Sequence, residues 1–80
     1  MIHARGDYAP IQDPSGLIPE DEPVFLLRGQ DCVAPWVVRD WADLAEKAGA
    51  SPDIVSAARG QAAAMEQWQK VHGNKIPDMP

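Results

Sequence analysis

Large apolar residues recur at helical spacing in two adjacent segments, and this pattern predicts two short amphipathic helices. The first segment, residues 35–48, carries an apolar stripe at three- and four-residue spacing, made by Val37, Trp41, Leu44 and Ala48 and widened by Val38 and Ala45. Pro35 suits the first turn of such a helix, because its missing N–H has no helical partner there. Gly49 is typical of a helix end.

The second segment begins with Ser51-Pro52-Asp53, which supplies a capping hydroxyl, a proline in the first position and an acid in the first turn. We predict a helix over residues 52–72, ended by Gly73, with a stripe formed by Ile54, Ala58, Ala62, Met65 and either Trp68 or Gln69. The stripe is rich in alanine, which allows close approach of the first helix. The segments therefore predict a helical hairpin with Trp41 and Trp68 in its core, or with Trp68 covered by the C-terminal tail.

An apolar run precedes the two predicted helices. The best strand candidate of the chain is Pro23-Val24-Phe25-Leu26-Leu27-Arg28, bounded by proline and Gly29, with coil as the alternative for this short segment. A lone strand needs a partner, and the candidates are the N-terminal arm, a second copy of the chain or the sheet edge of another protein.

The first 22 residues predict an extended arm, because Pro10, Pro14 and Pro19 remove backbone donors and exclude a regular helix. Asp13-Pro14-Ser15-Gly16 has the chemistry of a turn, and a short strand is expected near Leu17-Ile18. The predicted fold class is α+β, mainly α: a two-helix hairpin with a short strand and an extended N-terminal arm. Its regions are a Pro-rich acidic arm at 1–22, a small core of one strand and two helices at 23–73, and a C-terminal tail at 74–80.

Size and charge limit the classes of function. The chain has 80 residues, a net charge of −5 and one cysteine, Cys32, so no internal disulfide is available. A domain of this size buries roughly 60–65% of its unfolded surface, and oligomerisation or docking onto a partner often adds stability. The acidic charge repels nucleic acid and anionic membranes, and no apolar run approaches the ~20 residues of a membrane span. We therefore expect a soluble cytoplasmic protein that binds neither nucleic acid nor membranes directly.

The titratable residues form no recognisable catalytic or metal motif. His3 and His72 lie near opposite ends of the chain, and His72 in the last turn is explained as a cation near a helix C-terminus. Cys32 lacks a nearby base and is expected to be a small buried residue. Two helices joined by a short turn also suggest a DNA-binding helix-turn-helix. Its second helix would read the bases, but here that helix carries acidic residues and no basic patch, which argues against DNA binding. We predict no enzyme, no cofactor and no metal.

Acidic residues and one tryptophan are the candidates for binding a partner. The acids are Glu20, Asp21 and Glu22 in the arm and Asp40, Asp43 and Glu46 along the first helix. They are either solvated side chains that keep the protein soluble or a patch for a basic partner. Trp36 lies off the apolar stripe, so it either caps the helix by packing on Phe25 or Leu27 or anchors an interface.

Two runs of the sequence resemble small accessory proteins of phages and prophages of high-GC bacteria. They are Asp21-Glu22-Pro23-Val24-Phe25-Leu26-Leu27-Arg28-Gly29-Gln30-Asp31 and Val38-Arg39-Asp40-Trp41-Ala42-Asp43-Leu44-Ala45-Glu46, the second followed by Ala63-Ala64-Met65-Glu66-Gln67-Trp68. In size and charge the chain is similar to anti-CRISPR inhibitors. That resemblance implies binding to a type I CRISPR surveillance complex, type I-C among the candidates, and a block of its access to target DNA.

Basic residues on both predicted helices depart from the pattern of a pure DNA mimic, and they are Arg39, Lys47, Arg59 and Lys70. They favour a mixed protein–protein interface with a basic nucleic-acid-binding complex. The alternative is a phage accessory or structural protein without inhibitory role, which self-associates as a homodimer through the strand edge or the helix pair.

Overall fold

The computed structural model describes residues 1–5 and 13–78. Its elements, in chain order, are β1 (Ile2–His3), β2 (Pro23–Val24), α1 (Ala34–Lys47) and α2 (Pro52–His72). The predicted α+β, mainly α class with a two-helix hairpin and a short strand is confirmed. The chain divides into two compact units, one made of residues 1–27 and 78–80 and the other of Arg28–Pro77.

The first unit contains a small parallel sheet. Ile2 pairs with Pro23 and His3 with Val24, and the Ile2 N–H donates to the Glu22 carbonyl over 2.7 Å. The N-terminal arm is thus the partner that the strand requires. The strand covers only the first two residues of the candidate segment, because β1 is two residues long and pairs no further than Val24, and residues 25–28 follow as coil.

The turn predicted after residue 12 is confirmed. The Gly16 N–H donates to the Asp13 carbonyl over 3.0 Å, and Gly16 has a φ of 62°, a left-handed conformation that favours glycine. The Asp13 carboxylate accepts the N–H groups of Leu17 and Ile18 at 2.9 and 3.1 Å. These bonds hold Leu17-Ile18 in a loop, so the short strand expected there was wrong. The parts of the predicted arm and tail at residues 6–12 and 79–80 lie outside the described residues.

The second unit contains the hairpin and the segment that leads into it, residues 28–33, here called the connector. The helices run over 34–47 and 52–72, close to the predicted 35–48 and 52–72. Each has a proline in its first turn, as predicted. The Ser51 hydroxyl makes no capping bond, and the Ser51 carbonyl instead accepts the Val55 N–H. Neither helix of the described residues is long and apolar enough to cross a membrane.

Small residues fill the contact between the helices. Ala34, Ala42, Val55, Ala62 and Met65 are the buried hydrophobic residues of the described chain, and Pro35 is buried beside them. On α2 the predicted stripe is right at Ala62 and Met65. The prediction that Ile54 is buried was wrong, because the next residue, Val55, is buried instead.

The predicted stripe of α1 is right at Val38 and Ala45 but wrong at its four main positions, because this helix turns another face towards α2. Trp41 is 51% exposed and Leu44 is 65% exposed. The inward face has the same helical spacing and consists of Ala34, Val38, Ala42 and Ala45, all buried or half-buried. Alanine lets the two helices approach closely, whereas Trp41 and Leu44 in the contact would hold the axes apart.

Trp68 does not belong to the core either. Its ring stacks on His72 with a centroid distance of 4.4 Å, and 44% of the residue is exposed. The tail does not cover it with Ile76, which is itself 79% exposed. The tail instead pairs with the connector, since the Cys32 N–H donates to the Lys75 carbonyl and the Lys75 N–H to the Gln30 carbonyl, each over 2.9 Å.

The connector is also fastened to α2. Gln69 Nε2 donates to the carbonyl oxygens of Gly29 and Asp31 over 2.8 and 3.0 Å. Gly29 lies against Met65, where an added Cβ would be 3.5 Å from Met65 Cγ. These contacts fix the entry of the chain into α1 and so set how the helix is turned about its axis.

Candidate protein-binding surfaces

Three consecutive carboxylates project from a turn in the first unit. Glu20, Asp21 and Glu22, here called the acidic turn, are all exposed. The backbone beneath them is held, because the Glu22 N–H donates to the Pro19 carbonyl over 3.2 Å and the Glu22 carbonyl accepts from Ile2. No cation of the described residues forms an ion pair with these carboxylates. The acidic turn therefore presents uncompensated negative charge on a fixed backbone.

Two of the three candidate acids of α1 are already engaged by a cation. Arg59 of α2 donates to Asp43 Oδ1 over 2.9 Å, and its two terminal nitrogens each lie 3.4 Å from a carboxylate oxygen of Glu46. These hydrogen bonds, that to Asp43 first and those to Glu46 second, raise the pKa of Arg59. Asp43 and Glu46 therefore do not offer free charge to a partner in the way the sequence suggested.

Asp40 differs from the other two acids of α1. It is exposed, and none of the described side chains forms an ion pair with it. A second ion pair of the hairpin joins Arg39 to Glu66, so both sets of ion pairs link α1 to α2. The free negative charge among the candidates is thus at Asp40 and the acidic turn.

Trp36 presents its ring to solvent. The residue is 68% exposed, so much of its ring is available for contact. It forms one wall of an open pocket of about 380 Å³ whose other lining residues are Cys32, Pro35, Glu66, Gln69, Lys70 and Asn74. The free thiol of Cys32 is half-buried there, where the sequence predicted a buried one.

The described residues contain no group of three or more His, Cys, Asp or Glu side chains that could hold a metal ion. The two histidines lie in different units and in different settings. His3 lies in β1, with both ring nitrogens buried and without a hydrogen-bond partner in the described part of the chain. His72 stacks on Trp68 in the last turn of α2.

Sequence reasoning missed one surface, an apolar face on the helix pair. We define the apolar face as Val33, Val37, Trp41, Leu44, Ile54 and Trp68, which are 43–65% exposed. The signal was present, since three of these residues belong to the stripe that the sequence assigned to the core of α1. The structure leaves that stripe exposed.

Comparison with known proteins assigns no family, because no protein-family model, no curated protein and no solved structure matches the chain.

Proposed function

We propose that this chain is a phage-encoded anti-CRISPR inhibitor that acts by binding and not by catalysis. In this proposal it occupies a basic, DNA-binding part of a type I CRISPR surveillance complex in the bacterial cytoplasm and blocks target DNA binding. The observation that carries the proposal is the acidic turn, with three exposed carboxylates that are not compensated within the described residues. The phage origin rests on the resemblance of residues 21–31, 38–46 and 63–68 to phage accessory proteins, and the choice of partner rests on the similarity in size and charge to anti-CRISPR inhibitors.

The acidic residues contribute unequally to the proposed contact. The acidic turn and Asp40 offer free carboxylates to lysine and arginine side chains, and Trp36 offers an exposed ring that a partner can bury. Asp43 and Glu46 would first have to release Arg59. Binding is therefore expected to weaken as salt screens the exposed charges.

A competition assay tests this proposal. Purified type I-C surveillance complex is bound to a labelled target duplex, and displacement of the duplex is followed as the chain is added. We expect the wild-type chain to displace the duplex and the triple variant Glu20→Gln, Asp21→Asn, Glu22→Gln to lose at least about tenfold in potency.

A second triple variant controls for the change in net charge. Ser56→Lys, Ala63→Lys and Gln67→Lys also raise the charge by three, at exposed positions on the outer side of α2. This variant is expected to displace DNA nearly as well as wild type. Equal losses of potency in the two triple variants would mean that net charge, and not the acidic turn itself, determines displacement. If the wild-type chain displaces no DNA, the inhibitor proposal is overturned in favour of a phage accessory or structural role.

A further inference from the structure

The hairpin buries small apolar side chains and exposes large ones, the opposite of the usual distribution. Three of its five buried hydrophobic residues are alanine, whereas Trp41, Leu44, Ile54 and Trp68 are all substantially exposed. The stabilisation available from apolar burial rises with the area removed from water, so the exposed parts of these four side chains can still contribute if they become buried. Small domains with such limited cores commonly depend on a second subunit.

The exposed apolar residues of the two helices lie on the same side of the hairpin. At 100° per residue, Val37, Trp41 and Leu44 lie to one side of the face by which α1 contacts α2, and Arg39, Asp43 and Glu46 lie to the other. On α2, Ile54 and Trp68 are rotated about the helix axis away from the contact in the same direction as the apolar residues of α1. Arg59 and Glu66 are rotated in the opposite direction. Because the helices are antiparallel, equal offsets place residues on the same side of the pair.

The ion pairs confirm this assignment of the two sides. Arg59 joins Asp43 and Glu46, and Arg39 joins Glu66, so the charged flanks of both helices meet on one side. The apolar face occupies the other side. The residues that lie between its members on the same side are Ala48, Ala57, Gln61 and His72, whose ring stacks on Trp68, and Asp40 lies at its edge, one turn from Leu44.

Charge and area point to a second copy of this chain as the occupant. Two chains of net charge −5 repel each other, and they approach at least electrostatic cost through the apolar face, whose six members carry no charge. From the exposed fractions of its six members, the apolar face presents roughly 500–600 Å². Two such faces bury roughly 1,000–1,200 Å² in total, which is below the standard size of about 1,600 Å² but reaches the minimum of about 1,000 Å² for a specific interface before the rim is counted.

We propose that two copies pack their apolar faces together about a twofold axis and form a four-helix bundle. Trp41 and Trp68 enter the interface, and the ion pairs of Arg59 remain on the outer side of each hairpin. This proposal does not depend on the inhibitory role, because it uses a different surface from the acidic turn.

Sedimentation velocity on the full chain tests the dimer. Over about 10–500 µM we expect the wild-type chain to sediment as a dimer. Leu44→Glu places a charge in the apolar face and is expected to weaken dimerisation at least tenfold. Ile76→Glu is the matched control, since Ile76 is a similarly exposed aliphatic residue outside the helices, and it is expected to dimerise like wild type. Circular dichroism reports whether each variant remains helical.

A second measurement needs no variant and decides the case in which Leu44→Glu fails to fold. If dimerisation stabilises the fold, the midpoint of thermal unfolding of the wild-type chain rises with protein concentration. A monomer at every concentration, with a constant midpoint, would overturn the proposal. So would a dimer that Leu44→Glu leaves intact while it stays helical. Loss of DNA displacement in the acidic-turn variant without loss of the dimer would leave this inference standing, so the two proposals fail separately.

Discussion

Arg59 of α2 binds Asp43 of α1 through a hydrogen bond of 2.9 Å between Arg59 Nη2 and Asp43 Oδ1. The same guanidinium reaches Glu46 one turn further along α1. One basic residue thus closes the hairpin on its charged side and withdraws two carboxylates from the acidic surface.

Arg59→Gln should have opposite effects on the fold and on the proposed binding. We expect a small fall in the thermal midpoint, since exposed ion pairs contribute little. Affinity for a basic partner should rise at low salt, because Asp43 and Glu46 are then free to bind it. The measurement is the affinity for the surveillance complex at two salt concentrations, with Lys47→Gln as a control that removes an exposed cation lacking an ion pair among the described residues. An affinity that rises equally in the control would contradict this role of Arg59.

The stability that the Arg59 ion pairs contribute should not change between about pH 7 and 9. Its pKa is raised by the hydrogen bonds to Asp43 and Glu46, so the cation is more stable in the folded chain than in the unfolded one. The contribution is fully present below the unfolded pKa and is lost only as pH rises through the higher folded value. Stability measured by urea unfolding between about pH 7 and 9 should therefore show no step that Arg59→Gln removes.

The close helix contact predicts a strong response to added volume. Ala62 is fully buried between the helices, and Ala62→Leu should destabilise the fold by about 1–3 kcal/mol through overpacking. Ala63→Leu adds the same atoms at the exposed neighbouring position and should change the free energy of unfolding by less than about 0.5 kcal/mol. Urea unfolding of both variants checks this, and equal costs would mean that Ala62 is not in the contact.

Local sequence signals predict where the helices begin and end. Pro35 and Pro52 mark the first turns, and Gly49 and Gly73 follow the ends, so the predicted bounds agree with the structure to within about one residue. These signals act over a few neighbouring residues and need no knowledge of the tertiary fold.

The rotation of α1 about its axis could not be predicted in the same way. This helix carries two apolar stripes at helical spacing, one with Val37, Trp41 and Leu44 and one with Ala34, Ala42 and Ala45. Hydrophobicity alone selects the larger residues for the core. The structure selects the smaller ones, because α2 is lined with alanine and Gln69 fastens the preceding connector. The contact of Arg59 with Asp43 follows from that rotation and was missed with it.

The exposed glycine of α2 offers a gain in stability. Gly60 lies in the helix with no atom near its missing side chain, so Gly60→Ala should stabilise the fold by about 0.5–1 kcal/mol. Gly73→Ala is the matched comparison, since its φ of 84° strains any side chain, and it should destabilise by about 1 kcal/mol. Thermal unfolding of both variants measures the two signs, and a loss of stability in Gly60→Ala would show that this position packs against a partner.

His3 should be replaceable by an apolar residue. Both of its ring nitrogens are buried without a hydrogen bond in the described part of the chain, and an unsatisfied buried polar group costs about 1–3 kcal/mol. His3→Leu is therefore expected to leave the free energy of unfolding unchanged or to raise it, as measured in urea. His72→Leu, which removes the ring stacked on Trp68, should not show this gain. A clear loss of stability in His3→Leu would reveal a polar contact of this ring.

The most direct measurement for the proposed function is recovery of the tagged chain from a bacterial host with an active type I-C CRISPR system, washed at low and at high salt. We expect subunits of the surveillance complex to be recovered at low salt and to be lost at high salt, with much reduced recovery when Glu20, Asp21 and Glu22 are neutralised together. Recovery of the chain alone, or of virion proteins in place of the surveillance complex, would contradict the inhibitor proposal.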